Sequence, residues 1–103
     1  MCSFVVFSSN KLNLSDFSNT LKKVEHRGPD NNYAAIENGL SWGFNRLSIM
    51  DLSSNGNQPF KYNSCELVCN GEIYNYQSLR ELLSNEYRFH SNSDCEVLIT
   101  LYY

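Results

Sequence analysis

The sequence of 103 residues predicts a single α+β domain, because strand-like runs alternate along it with amphipathic helical segments. Residues 33–37 and 40–44 have the pattern of two strands. They are joined by Asn38-Gly39, a pair typical of two-residue hairpin turns, so we expect antiparallel pairing. Two further strand-like runs cover residues 4–7 and 66–69. Three other segments repeat apolar residues with helical spacing, which indicates helices that pack on a sheet.

The first predicted strand, residues 4–7, is apolar throughout, and we expect it to be buried. Ser15 is the candidate N-cap of the helix that follows. Gly28-Pro29 marks the end of this helix, because proline disfavours helical dihedrals in the residue before it. The apolar face of the helix consists of Phe17, Leu21 and Val24.

Two more helices are predicted in the second half of the sequence. The first has Asn75 as its N-cap, and its apolar stripe should belong to the core. The second begins at a capping box in which Ser93 and Glu96 cap the first turn reciprocally. The apolar residues are Leu79, Leu82 and Leu83 in the first helix, and Val97, Leu98 and Leu101 in the second.

Composition and charge exclude several classes of function. The net charge of −3 argues against nucleic acids and anionic membranes as partners, because both select a basic surface. The apolar run at the N-terminus is too short for a membrane span and has no basic residue ahead of it, so we expect a cytoplasmic protein. In that reducing compartment the four cysteines should be free thiols.

We expect no metal ion and no cofactor. Cys65 and Cys69 are four positions apart rather than three, and His26 and His90 are distant in the sequence, which is a weak signal for zinc. The sequence contains no glycine-rich phosphate loop of the form G-x-x-x-x-G-K-[ST] and therefore offers no ATP site of that kind.

Cys2 is a candidate nucleophile because it follows the initiator Met1 directly. If Met1 is removed, which a small second residue permits, one residue carries both a thiol and a free α-amine. A free α-amine titrates near ~7.7–8.0 and a free thiol near ~8.5, so at neutral pH the amine can accept the thiol proton. The alternative is that this cysteine merely begins an apolar first strand.

Three further positions have both a structural and a chemical interpretation. Arg46 lies in an apolar stretch and needs a counter-charge, which a ligand carboxylate can supply, although surface arginines beside strands are common. Asn70-Gly71 follows a strand and is typical of a turn, yet an amide and a backbone N–H there can both donate to one oxyanion. Asp94 lies in a helix first turn, where the dipole favours a carboxylate that could also bind an ammonium group.

Short segments spread along the whole chain match one family pattern in order. These segments are Met1-Cys2, His26-Arg27-Gly28-Pro29-Asp30, Arg46-Leu47-Ser48-Ile49-Met50-Asp51, Gln58-Pro59, Asn70-Gly71-Glu72-Ile73-Tyr74-Asn75 and Ser93-Asp94-Cys95-Glu96-Val97. They resemble the glutaminase domain of glutamine-hydrolysing asparagine synthetases, which are class II glutamine amidotransferases of the Ntn-hydrolase type. The resemblance implies an α/β/β/α sandwich of antiparallel sheets, here truncated.

The resemblance also implies a reaction, the hydrolysis of L-glutamine to glutamate and ammonia through a thioester on Cys2. Asn70 and Gly71 resemble the oxyanion hole, Arg46 resembles the group that binds the substrate carboxylate, and Asp94 the group that binds its ammonium. The full set of residues implied in substrate binding is Arg46, Leu47, Ser48, Ile49, Met50, Asn70, Gly71, Glu72 and Asp94.

The resemblance covers about the first half of a family glutaminase domain. Residues 1–103 are therefore expected to be a partial domain that starts at the nucleophile and has no synthetase domain. Phe44-Asn45 departs from the family, which usually carries a polar pair at this place. Two functions remain open: a glutaminase, alone or with a separate synthetase chain, and an inactive relic or interaction module that self-associates through open sheet edges.

Overall fold

The computed structural model describes residues 2–103, so the predicted removal of Met1 lies outside the described residues. The chain forms two compact units, which divide between Leu47 and Ser48. Each unit contains a small antiparallel sheet and at least one helix. The predicted α+β class is confirmed, and this mixture of helices and antiparallel strands is compatible with a truncated Ntn-hydrolase-like fold.

Three antiparallel strands form the sheet of the first unit: β1 (Ser3–Ser8), β2 (Asn31–Glu37) and β3 (Leu40–Arg46), in the order β1-β3-β2. The predicted hairpin is confirmed. Asn38 and Gly39 join β2 to β3 with positive φ angles of 51° and 77°, as a type I′ turn requires. Both strands of the hairpin are longer than predicted: β2 starts two residues earlier, and β3 ends two residues later.

The prediction that the first strand is buried is wrong. Phe4, Val6 and Phe7 of β1 are exposed over 47%, 51% and 52% of their surfaces. β1 is an edge strand of the three-stranded sheet, where it pairs with β3 alone. An apolar run has the same sequence pattern in an edge strand as in a central one, so the pattern could not distinguish them.

Helix α1 spans Leu14–Lys22, and its N-cap is Asn13. The Asn13 side-chain oxygen accepts a hydrogen bond of 2.9 Å from the backbone N–H of Asp16. The prediction that Ser15 caps this helix is wrong, because Asn13 has the extended backbone of a cap residue and Ser15 already lies inside the first turn.

The apolar face of α1 packs on the sheet through Phe17 and Leu21, which are buried as predicted. The helix ends before Val24, and the predicted stop at Gly28-Pro29 is therefore wrong. A short 3₁₀ turn at Glu25–Arg27 occupies the interval. The proline thus follows this turn rather than the α-helix.

The second unit contains a two-stranded antiparallel sheet, formed by β4 (Phe60–Tyr62) and β5 (Cys65–Leu67), and two helices, α2 (Tyr76–Leu83) and α3 (Val97–Tyr102). Its core is a cluster of buried residues with partly buried residues packed against it. The buried members are Phe60, Cys95 and Ile99, and the partly buried members are Tyr62, Cys65, Leu67 and Cys69.

Strand β5 is shorter than the predicted run of residues 66–69. The side chain of Gln58 binds both backbone polar groups of Cys69. Its Oε1 accepts from the Cys69 N–H at 2.6 Å, and its Nε2 donates to the Cys69 carbonyl at 3.2 Å. Because these peptide groups are taken, residue 69 does not continue the ladder with β4.

The predicted core stripe of α2 is wrong in part. Leu82 is 72% exposed, and Leu79 and Leu83 are only half-buried. Asn75 does hold the N-cap position, but its side chain makes no capping hydrogen bond. Helix α2 therefore contributes little to the core of its unit.

The predicted capping box at residues 93–96 is also wrong. Ser93 precedes a 3₁₀ turn at Asp94–Glu96 that leads into α3, but its side chain makes no capping hydrogen bond. The Glu96 carboxylate accepts instead from the backbone N–H groups of His90 and Ser91, both at 2.8 Å. The carboxylate thus binds the loop that precedes the turn.

All three helices are short, and α1 is the longest at 9 residues. Within residues 2–103, no helix combines the length and the apolar character that crossing a bilayer requires.

Candidate active site

Cys2 lies directly before β1, and its sulfur is held beside the end of β3 in the first unit. The backbone N–H of Leu47 donates to Cys2 Sγ at 3.3 Å, and the sulfur lies 3.6 Å from the Leu47 carbonyl oxygen. Arg27 Nε donates to the Cys2 carbonyl oxygen at 3.3 Å. The candidate nucleophile is therefore fixed beside Leu47, which directly follows Arg46.

Asn45, a residue that the sequence did not assign to the site, joins three elements of the first unit. It is 1% exposed and lies opposite both Ser3 of β1 and Asn32 of β2 in the strand register. Its Oδ1 accepts from Asn32 Nδ2 at 2.8 Å, and its Nδ2 donates to Ser3 Oγ at 3.2 Å and to the Leu21 carbonyl at 3.0 Å. The start of β1, which directly follows Cys2, is thereby tied to β3 and to α1.

Arg46, the last residue of β3, is buried. Its carbonyl oxygen accepts from the Asp30 N–H at 2.9 Å. Gly28 approaches the same strand so closely that a Cβ there would lie 2.3 Å from the Asn45 carbonyl oxygen. The segment His26-Arg27-Gly28-Pro29-Asp30 thus packs against the strand that carries Arg46, which gives that motif a structural explanation.

In the second unit, Asp94 lies close to the segment that follows Asn70-Gly71. Asn70, Gly71 and Glu72 are exposed, whereas Asp94 is buried. Asp94 Oδ2 accepts from the backbone N–H of Ile73 at 2.6 Å. The structure therefore brings the predicted ammonium-binding carboxylate together with the predicted oxyanion segment.

Gln58 holds the residue immediately before Asn70. Its side chain is buried, and both of its polar atoms bind the backbone of Cys69, as described for the end of β5. The sequence placed Gln58-Pro59 in the family pattern without a role. The contacts show that Gln58 fixes the backbone directly before Asn70.

Asp51 fixes the segment that contains the other predicted pocket residues. Its Oδ1 accepts from the N–H and the hydroxyl of Ser53 at 2.8 and 2.6 Å, and its Oδ2 accepts from the Asn92 N–H at 2.7 Å. Ahead of it, Ser48 is half-buried, while Ile49 and Met50 are exposed. Asp51 thus ties this segment to the loop that leads to Asp94.

Glu96 anchors the same loop from the other side. It is 1% exposed, and besides the two backbone N–H groups it accepts hydrogen bonds from Ser91 Oγ at 2.5 Å and from the Tyr87 hydroxyl at 3.1 Å. Burial and the neighbouring Glu96 carboxylate raise the pKa of Tyr87 to about 12. Arg80 completes the support: its guanidinium donates to the Ser91 and Ser93 carbonyl oxygens.

The predicted site residues are divided between the two units at the Leu47–Ser48 boundary. The first unit contains Cys2, Arg46 and Leu47, and the second contains Ser48, Ile49, Met50, Asn70, Gly71, Glu72 and Asp94. Their chemical roles stay predictions. No group of three or more His, Cys, Asp or Glu side chains in the described part of the chain could hold a metal ion.

The match to known proteins defines the class. The chain matches the glutamine amidotransferase domain family over residues 1–103. It therefore belongs to that family, and the expected resemblance to the glutaminase domain of glutamine-hydrolysing asparagine synthetases is confirmed.

Three individual relatives show how similar the chain is to known proteins. The chain is 43% identical over 104 residues to a probable glutamine-hydrolysing asparagine synthetase of Acanthamoeba polyphaga mimivirus, covering 96% of this chain and 18% of that protein. It is 40% identical over 111 residues to asparagine synthetase 1 of Bacillus subtilis, covering 99% and 17%. It is also 42% identical over 91 residues to the amidase chyE of Penicillium rubens, covering 86% and 14%. The chain thus spans less than a fifth of the length of these relatives.

Proposed function

We propose that this protein hydrolyses L-glutamine to glutamate and ammonia, with Cys2 as the nucleophile. The observation that carries the proposal is the position of the Cys2 sulfur. It is held by the Leu47 N–H at 3.3 Å, next to Arg46, in a chain that belongs to the glutamine amidotransferase domain family. Glutamine offers a carboxamide for attack and an α-carboxylate for an arginine to bind.

The proposed reaction begins with proton transfer from the Cys2 thiol to its own α-amine, after removal of Met1. The thiolate attacks the carboxamide carbon, and the carbonyl oxygen becomes an oxyanion that Asn70 and the Gly71 N–H stabilise. The C–N bond then breaks, and the α-ammonium gives its proton to the departing ammonia. Water attacks the resulting thioester and passes a proton to the amine, and cleavage of the C–S bond yields glutamate and the free thiol.

Substrate binding is proposed to use opposite charges at the two ends of the glutamine backbone. Arg46 binds the α-carboxylate through parallel hydrogen bonds, with Leu47, Ser48, Ile49 and Met50 beside it. Asp94 binds the α-ammonium. A carboxylate has about four lone-pair sites, so the hydrogen bond that Asp94 accepts from Ile73 leaves capacity for this second partner.

An electrophilic glutamine analogue tests the nucleophile. Intact mass and peptide mapping should show one adduct, on Cys2, in the wild type and in Cys65→Ser, which removes a partly buried thiol outside the proposed site. Cys2→Ala should show none. Labelling of Cys65, Cys69 or Cys95 while Cys2 stays unmodified would contradict the assignment.

A second candidate function is that of a non-catalytic interaction module of the same family. The observation in its favour is the half-exposed apolar side chains of Phe4, Val6 and Phe7 on edge strand β1. Concentration-dependent association in sedimentation experiments, abolished by Val6→Lys, together with no analogue adduct on Cys2, would favour this function over the glutaminase.

A further inference from the structure

Two cysteines of the second unit form a close thiol pair. Cys95 Sγ donates a hydrogen bond to Cys69 Sγ at 3.1 Å. Cys95 is 3% exposed within the unit's core cluster, whereas Cys69 is partly exposed. One residue of the pair is therefore partly exposed, and the other is buried.

The backbone around this pair is held in place on both sides. Gln58 binds the Cys69 N–H and carbonyl, and the Asp94 carboxylate, next to Cys95, binds the Ile73 N–H. A covalent disulfide is ~2.05 Å long, so the two sulfur atoms need to approach by only about 1 Å. Rotation of the two side chains can supply such a movement without separating the elements that carry them.

The two thiols also differ in acidity in the way that oxidation requires. The hydrogen bond from Cys95 lowers the pKa of Cys69 to about 7. The same hydrogen bond, together with burial, raises the pKa of Cys95. At neutral pH the pair thus consists of a partly exposed cysteine with thiolate character and a buried thiol that keeps its proton, the usual arrangement of an attacking and a resolving cysteine.

We propose that Cys69 and Cys95 are a site of reversible oxidation by hydrogen peroxide, at which they form a disulfide. The Cys69 thiolate attacks one peroxide oxygen, the O–O bond breaks, and the departing hydroxide takes a proton to become water, which leaves a sulfenic acid on Cys69. Cys95 then attacks that sulfur and loses its proton, and the sulfenic hydroxyl leaves as a second water. Two thiols and one peroxide thus give one disulfide and two waters, and a small thiol restores the reduced pair.

The proposed site is adjacent to the groups assigned to glutamine hydrolysis, so oxidation should lower that activity. Cys69 directly precedes Asn70, Cys95 directly follows Asp94, and Cys95 Sγ lies 3.6 Å from the Gly71 carbonyl oxygen. Forming the disulfide consumes the Cys95 thiol hydrogen, and it links the segment before Asn70 covalently to the segment after Asp94, which shifts both segments. This consequence rests on the proposed function, whereas formation of the disulfide does not.

Peptide mapping without reduction tests the disulfide itself. After treatment with a small excess of hydrogen peroxide, the wild-type chain should give a cross-linked peptide that contains Cys69 and Cys95 and separates on addition of dithiothreitol. The cross-link should persist in Cys65→Ser, the matched control from the same core cluster, and in Cys2→Ala. A dominant cross-link between other cysteines, or a wild-type reaction that stops at sulfenic acid, would overturn the proposal.

Two variants distinguish the cysteine that is oxidised first from the cysteine that resolves it. Cys69→Ser should abolish the cross-link and leave Cys95 unmodified. Cys95→Ala should instead leave Cys69 as a sulfenic acid that dimedone traps. If dimedone labels the wild type as strongly as Cys95→Ala, Cys95 is not the resolving thiol and the proposal fails.

The activity measurement distinguishes this proposal from the proposed glutaminase. Removing an oxyanion-hole donor costs about 10²–10³ in rate, and a partial displacement should therefore slow glutamine hydrolysis by roughly tenfold in a way that dithiothreitol reverses. The part of the activity that is lost through oxidation of Cys2 is measured in Cys69→Ser, because this variant cannot form the disulfide. Equal losses in the two proteins would refute the functional consequence, while the peptide map reports on the disulfide even if the chain hydrolyses no glutamine.

Discussion

Replacing Asn45 by alanine should destabilise the first unit strongly, because this one side chain makes three hydrogen bonds in a buried position. Its partners are Asn32, Ser3 and the Leu21 carbonyl oxygen. At a net value of about 1 kcal/mol for each hydrogen bond, the loss is about 3 kcal/mol. The Ser3 hydroxyl keeps a partner in the Val24 carbonyl oxygen at 3.0 Å, whereas the Leu21 carbonyl loses its side-chain donor.

Urea denaturation followed by tryptophan fluorescence measures this change, since the single tryptophan, Trp42, lies on β3 itself. With a slope of about 1–3 kcal/mol per molar urea, a loss of about 3 kcal/mol should lower the midpoint by at least roughly 1 M. Asn19→Ala, the same substitution on an exposed position of α1, is the control and should not lower the midpoint. Equal midpoints for Asn45→Ala and Asn19→Ala would refute the assigned role of Asn45.

Three further outcomes are expected. Arg46→Ala should weaken glutamine binding by at least about tenfold, because a charge-assisted hydrogen bond to a carboxylate contributes roughly 1.5–3 kcal/mol; equal affinities in calorimetric titration would remove Arg46 from the site. Alkylation of Cys69 should reach half its limiting rate near pH 7, and in Cys95→Ala the midpoint should move upward, because the hydrogen bond that lowers the pKa is lost while the neighbouring Asp94 charge remains. Ammonia release should require neither ATP nor aspartate, so asparagine formed by the purified 103-residue chain would contradict the assignment.

The sequence predicted those parts of the fold that depend on neighbouring residues. Asn38-Gly39 identified the hairpin because a type I′ turn needs positive φ at two successive positions. Phe17 and Leu21 were correctly placed on the buried face of α1, since helical spacing puts them side by side. Both features are local, and both are confirmed.

The residues that support the site could not be found in this way, because their partners are distant in the sequence. Asp51 binds the backbone of Asn92, and Gln58 binds that of Cys69, through contacts that no periodicity encodes. The capping box failed for the same reason: the Glu96 carboxylate binds the preceding loop, where it meets more donors than a cap would offer. The tertiary structure determines which partners a buried polar side chain has, so these partners are seen only in the folded chain.

The contact between Gln58 and Cys69 has a consequence for how this protein associates with other chains. A side-chain amide carries the same donor and acceptor as a peptide group, so Gln58 occupies the place that a neighbouring strand would take at residue 69. A foreign strand cannot add to the backbone there without displacing it. β1 is an edge strand with half-exposed apolar side chains, and growth of fibrils or intermolecular sheets should therefore nucleate on the first unit and spare the end of β5.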